Sequence, residues 1–220
     1  DPMTNPLNNP NEPGNAPIAC PCGYYQPQTG QTKCLIVPVG TYPANVEQSN
    51  ETTPSTMIRT AATKAVKCAK GYQCAGACNA PVACTPGHYQ NERGKNVCKN
   101  CEPGHAQGNY AATECPECTP GHYQSNYEAT SCPECNLGHY QPNYGATECP
   151  ACPAGTHQSV KGKTYCDDCK CGEYNPYEGQ TSCYKCTGAL PYSPEASTAC
   201  SNLEDNQKEF ILREKLKIIH

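Results

Sequence analysis

Cysteines recur in this chain every seventeen residues. One series occupies positions 84, 101, 118, 135, 152, 169 and 186, and a second occupies 98, 115, 132, 149, 166, 183 and 200. Each repeat therefore reads Cys, thirteen residues, Cys, two residues, and then the next Cys, with no insertion between Cys84 and Cys200. A strict short period implies a linear array whose repeats touch mainly their neighbours. The apolar content explains why sulfur must matter. Cysteine supplies 21 of 220 residues, and Leu, Ile, Val and Phe together supply only another 21. So little aliphatic side chain cannot offset the entropy of ordering the chain, so covalent closure or metal has to replace the core.

The net charge of −4 gives no electrostatic case for nucleic acid or an anionic membrane. No apolar stretch approaches transmembrane length, so direct membrane insertion is not expected. The cysteine content, and a start at Asp1-Pro2 without an apolar leader, predict a mature secreted product, extracellular or at the cell surface. The sequon Asn50-Glu51-Thr52 predicts a glycan on Asn50.

Four regions follow. Residues 1–17 form an extended Pro/Asn-rich N-terminal arm, with Leu7 and Ile18 as anchors for docking on a neighbouring molecule. Residues 18–83 are an irregular cysteine-rich region. It contains an outlying copy, Cys20 to Cys34, and a further copy in which Val37 replaces the opening cysteine. A Ser/Thr-rich insertion, 47–64, reads as an exposed loop, and a compressed variant carries Cys68, Cys74 and Cys78. Residues 84–200 are seven regular repeats. Residues 201–220 are a cysteine-free amphipathic tail in which Leu212, Leu216 and Ile219 share a helical face. Phe210, Leu212, Leu216 and Ile218 also alternate as a strand would; the expectation is a helix. That apolar surface needs a partner, either the array or a second copy.

Within a repeat, Gly stands three residues after the opening cysteine (Gly23, Gly87, Gly104, Gly121, Gly138, Gly155, Gly172), preceded by Pro at 86, 103 and 120. Pro-Gly predicts a tight turn. An aromatic ring follows at Tyr25, Tyr89, Tyr123, Tyr140, His157 and Tyr174, placed to shield a disulfide. Thr stands two residues before most closing cysteines, as at Thr32, Thr113 and Thr130, and predicts a short extended segment there. Local closure is the simplest pairing: Cys20–Cys34, Cys84–Cys98, Cys101–Cys115, Cys118–Cys132, Cys135–Cys149, Cys152–Cys166, Cys169–Cys183 and Cys186–Cys200. A loop of that size is worth about 3 kcal/mol by chain entropy. Bridging across each two-residue spacer remains open from spacing alone. Four-thiolate zinc sites would use two Cys-x2-Cys pairs each, giving a period of thirty-four rather than seventeen, so no metal or other cofactor is expected.

Cys118-Thr119-Pro120-Gly121-His122-Tyr123-Gln124, closing at Cys132-Pro133-Glu134-Cys135, resembles the cysteine-rich repeats of TNF-receptor-like and ephrin-receptor-like extracellular regions. The resemblance implies a small disulfide-rich repeat array: an elongated ladder of short irregular β-loops with little regular secondary structure. It specifies architecture strongly and activity hardly at all. The uniform period differs from the mixed units of receptor ectodomains.

Local closure leaves Cys22 and Cys171 over, and both stand where the commonest repeat has Pro. Pairing inside the chain, to Cys68, Cys74 or Cys78, is the favoured reading for each, and a bridge between successive molecules, joining the start of one chain to the end of the next, is the alternative. His88, His105, His122 and His139 share one register and read as solvated turn residues. No nucleophile–base pair or phosphate loop is present, so no catalytic residue and no enzyme activity is expected. The sequence reading is an extracellular structural protein, a rod that assembles head to tail with itself into a filament or surface coat. Arm and tail (Leu7, Ile18, Phe210, Leu212, Leu216, Ile219) would be its assembling elements and glycans would cover it. A ligand-binding receptor ectodomain is the second reading.

Overall fold

The computed structural model describes residues 19–31, 33–45 and 61–202. Among them the chain is a small disulfide-rich repeat array of short antiparallel strand pairs, with no helix. Residues 203–220, the part of the tail on which a helix was expected, lie outside the described residues. The chain divides into two units, the first comprising 1–102, 107–116 and 127–130, and the second 103–106, 117–126 and 131–220.

In the first unit, β1 (Tyr24–Tyr25) pairs with β2 (Leu35–Ile36), and β3 (Thr41–Ala44) with β4 (Lys64–Lys67). β5 (Tyr72–Gln73) pairs with β6 (Val82–Ala83), and β7 (His88–Tyr89) with β8 (Lys99–Asn100). A small apolar cluster of Tyr42, Ala44, Cys68 and Cys74, flanked by Val66 and Tyr72, sits beneath β3 and β4. Val37 is buried where a regular repeat has its opening cysteine. Its amide donates to the Gly23 carbonyl and its own carbonyl accepts from Ala77. Valine thus keeps the backbone frame without the sulfur.

The second unit contains β9 (Thr156–His157) paired with β10 (Asp167–Asp168), and β11 (Glu173–Tyr174) paired with β12 (Tyr184–Lys185). Single antiparallel bridges, His105 with Glu117, His122 with Glu134 and His139 with Ala151, take the same place in its other repeats. The second strand of each regular pair is the two-residue spacer itself, not the threonine segment the sequence suggested. Thr113, Thr130 and Thr164 lie in bends. An extended spacer advances about 3.3 Å per residue and carries its two flanking cysteines apart, which excludes bridging across it.

Backbone hydrogen bonds, more than side chains, hold one repeat to the next. For the repeat opening at Cys118, the Gly121 amide donates to the Gln141 carbonyl (2.8 Å) and the Gln124 amide to that of Ala146 (3.0 Å). The Gly145 amide donates to the Cys118 carbonyl (2.9 Å), and the Cys135 amide returns to Gly121 (2.8 Å). The first unit repeats the set at Gly87, Gln90, Ala111 and Cys101. The opening cysteines from Cys84 to Cys169 are nearly fully buried along this seam, as are Gln90, Gln158 and Asn175, whereas Cys186 and the closing cysteines are half-exposed.

Contact also reaches two repeats ahead, further than the neighbour-only packing expected. Gly121 has φ of +82°, and a Cβ there would lie 2.1 Å from the carbonyl oxygen of Gly162. Glycine is thus required twice, for the left-handed turn and for close backbone approach. Gly172 occupies the same register with φ of +81° and nothing within 4 Å of an added Cβ. Gly172→Ala should cost about 1–2 kcal/mol, the left-handed penalty alone. Gly121→Ala should cost roughly 3 kcal/mol or more, because backbone must shift. Denaturant unfolding with the bridges intact compares them; equal costs would show that the carbonyl contact carries no weight.

Candidate interaction surface

Five consecutive loops, from the one that opens at Cys84 to the one that opens at Cys152, are each locked from inside by a glutamine. Gln124 Nε2 donates to the Ser131 carbonyl (2.8 Å) while its Oε1 accepts from the Asn126 amide (2.9 Å). Gln90, Gln107, Gln141 and Gln158 make the same pair of bonds, always to the carbonyl seven residues on and the amide two residues on. The signal was visible as a seventeen-residue recurrence of glutamine, but recurrence does not reveal that the amide spans its own loop. Asn175 is one methylene too short for this clamp. Its Nδ2 instead donates to the Thr156 carbonyl (2.9 Å), and its buried Oδ1 has no protein partner.

The clamp and the interrepeat bonds together fix what each loop presents. Ala111, Glu128 and Gly145 adopt φ of +54°, +58° and +65° at one register, and the residues just before them are Tyr110, Tyr127 and Tyr144. These rings are 69%, 65% and 66% exposed. The same position holds Arg93 and Lys161 in the flanking repeats. Residues 101–150 contain six glutamates, all exposed, and no Lys or Arg. Glu128 accepts from Asn100 Nδ2 (2.6 Å) and lies 3.8 Å from His88 Nε2. Before this stretch, Lys95 and Lys99 hold the Glu92 carboxyl below the usual carboxylate range through side-chain hydrogen bonds and charge.

Ten bridges are present, with paired Cα atoms 5.1–5.9 Å apart. Eight close fifteen-residue loops: Cys20–Cys34, Cys84–Cys98, Cys101–Cys115, Cys118–Cys132, Cys135–Cys149, Cys152–Cys166, Cys169–Cys183 and Cys186–Cys200. For Cys22 the intermolecular alternative is corrected and the intrachain one holds. Cys22 bridges to Cys78 in its own chain, because Cys74, at the position of the clamp glutamine, has taken Cys68. Cys171 alone is free, and it is exposed. Leu7, Ile18, Asn50, Phe210, Leu212, Leu216 and Ile219 lie outside the described residues.

The histidine rings at 88, 105, 122 and 139 each set Nδ1 3.0–3.3 Å from a backbone carbonyl two residues earlier, an anchor for the turn. His157 differs: its Nδ1 lies 3.3 Å from Cys183 Sγ, so here an aromatic does abut a bridge. Tyr174 packs instead against the Tyr184 ring, 5.7 Å away. His157, Cys169 and Cys183 are close enough to suggest a metal site. Both sulfurs are tied to each other, however, and the thiolate that binds metal is not available. A polar cleft of about 520 Å³ there, lined by His157, Asp167, Asp168, Cys169, Lys170 and Glu195, mixes charge signs. No described helix is long and apolar enough to cross a membrane.

One family, described as tyrosine-protein kinase ephrin type A/B receptor-like, matches residues 125–165. These residues include the Tyr127 and Tyr144 loops. No curated protein matches the chain. The chain therefore carries an ephrin-receptor-like cysteine-rich segment of the kind found in extracellular and cell-surface proteins.

Replacing Gln158 by Leu keeps the volume but strands the Tyr165 carbonyl and the Val160 amide. The expected cost is about 3 kcal/mol, from two orphaned groups at 1–3 kcal/mol each. Trypsin should then cut faster after Lys161 and Lys163, inside the loosened loop. Unchanged stability and cleavage would show that the clamp is dispensable.

Proposed function

We propose that the chain is an extracellular interaction module of receptor type, a disulfide-closed array that presents its loop tips to a protein partner and performs no catalysis. The ephrin-receptor-like match over residues 125–165 carries this reading. The clamped loops support it physically. A loop held by a bridge, a glutamine and interrepeat backbone bonds has little entropy left to lose on binding. Immobilised native chain, screened against secreted and cell-surface proteins, should show a saturable partner whose binding disappears when the bridges are reduced. Failure to find saturable binding, or binding indifferent to reduction, contradicts the reading.

A self-assembling structural rod is the second reading, favoured by the exposed, unpaired Cys171. One free thiol links only two chains, so with Cys22 engaged to Cys78 a sulfur-linked head-to-tail polymer has no second joint. Any filament or coat would need non-covalent contacts as well. The expected outcome on non-reducing electrophoresis is a covalent dimer at most, converted to monomer by Cys171→Ser. Covalent species larger than dimer, or a dimer surviving that substitution, would restore the polymer scheme.

A further inference from the structure

We infer that the Tyr110, Tyr127 and Tyr144 loops are repeated copies of one recognition element for a cationic polypeptide segment. This rests on the receptor-type reading and names the chemistry of the partner. Two features mark out the same three repeats. The exposed tyrosine recurs at the residue before the left-handed position only in those repeats, and it gives way to Arg93 on one side and Lys161 on the other. The stretch 101–150 that contains them has six carboxylates and no cation. The fold does not require either feature, since the same backbone position accepts Arg, Tyr, Lys and, at 178, Glu.

Tyrosine at this exposure is a rigid amphipathic contact with few rotamers to freeze, and such rings are enriched among residues that dominate binding. Its face attracts guanidinium and ammonium groups. Glu102, Glu114, Glu117, Glu134 and Glu148 form no ion pair among the described residues, so their field is available to steer a basic segment toward the loops. An acidic segment would be repelled, and an apolar one would leave the carboxylates desolvated without compensation. Each loop acts as its own contact.

The test uses the full bridged chain, a fluorescent oligoarginine peptide and an oligoglutamate control. Binding should be saturable, selective for oligoarginine and weakened by salt. Tyr110→Ala, Tyr127→Ala and Tyr144→Ala together should weaken it about tenfold or more, whereas the triple Phe variant, which keeps the rings, should stay within about threefold of the parent. Equal binding by the Ala variant overturns the inference, as does equal affinity for oligoglutamate. So does sedimentation showing that these tyrosines are covered in a dimer of the chain. A protein partner captured equally by parent and Ala variant sinks this inference and leaves the receptor reading standing. Tyrosine-dependent oligoarginine binding with no protein partner found leaves the surface and removes the receptor reading.

Discussion

The backbone of the opening cysteine is held from both directions. In the second unit, the Cys135 amide donates to the Gly121 carbonyl of the repeat before it, and the Cys135 carbonyl accepts from the Gly162 amide of the repeat after it. A buried amide left unpaired costs about as much as a lost hydrogen bond, so this saturation is what lets a cysteine sit in the interior of a chain with so little apolar mass. The disulfide then fixes the far end of the same loop. Sulfur limits the unfolded state, while the backbone bonds define the folded one.

A frame made from main chain and cysteine leaves the loop tips free to vary. Arg93, Tyr110, Tyr127, Tyr144, Lys161 and Glu178 stand at one register, and none disturbs the bonds beneath it. Val37 shows the same tolerance at the opening position, where the frame persists without a bridge. Asn175 shows its limit, because a side chain one methylene short leaves a buried oxygen without a partner. In such an array a change of charge or ring at a tip leaves the frame unaltered, which is what the proposed recognition by the tips requires.

Much of this was legible in the sequence, for a physical reason: a covalent closure between Cys118 and Cys132 depends on spacing that can be counted. The Pro-Gly turn was legible too, since it is local. What could not be read were contacts across repeats. Gly121 was recognisable as a turn glycine, but its approach to Gly162, forty-one residues away, depends on how repeats stack. The clamp glutamines were visible as a recurrence with no indication of their bonds. Cys22 went to Cys78 because Cys74 had displaced the usual clamp and captured Cys68, an exchange that no spacing rule reports. The threonine segments were read as strands because β-branching favours extension, whereas within each repeat the residues after the glycine turn pair with the spacer, as His88–Tyr89 do with Lys99–Asn100.

Amide hydrogen exchange on the chain with every bridge intact gives the most direct test. Slow exchange should recur every seventeen residues, at Cys118, Cys135, Cys152 and Cys169 and again at Gly145, Gly162 and Gly179, with the Tyr144 amide fast beside them. If those cysteine amides exchange as quickly as Tyr144, and protection is confined to the short strand pairs, the repeats are merely strung together by sulfur and the seam described here does not exist.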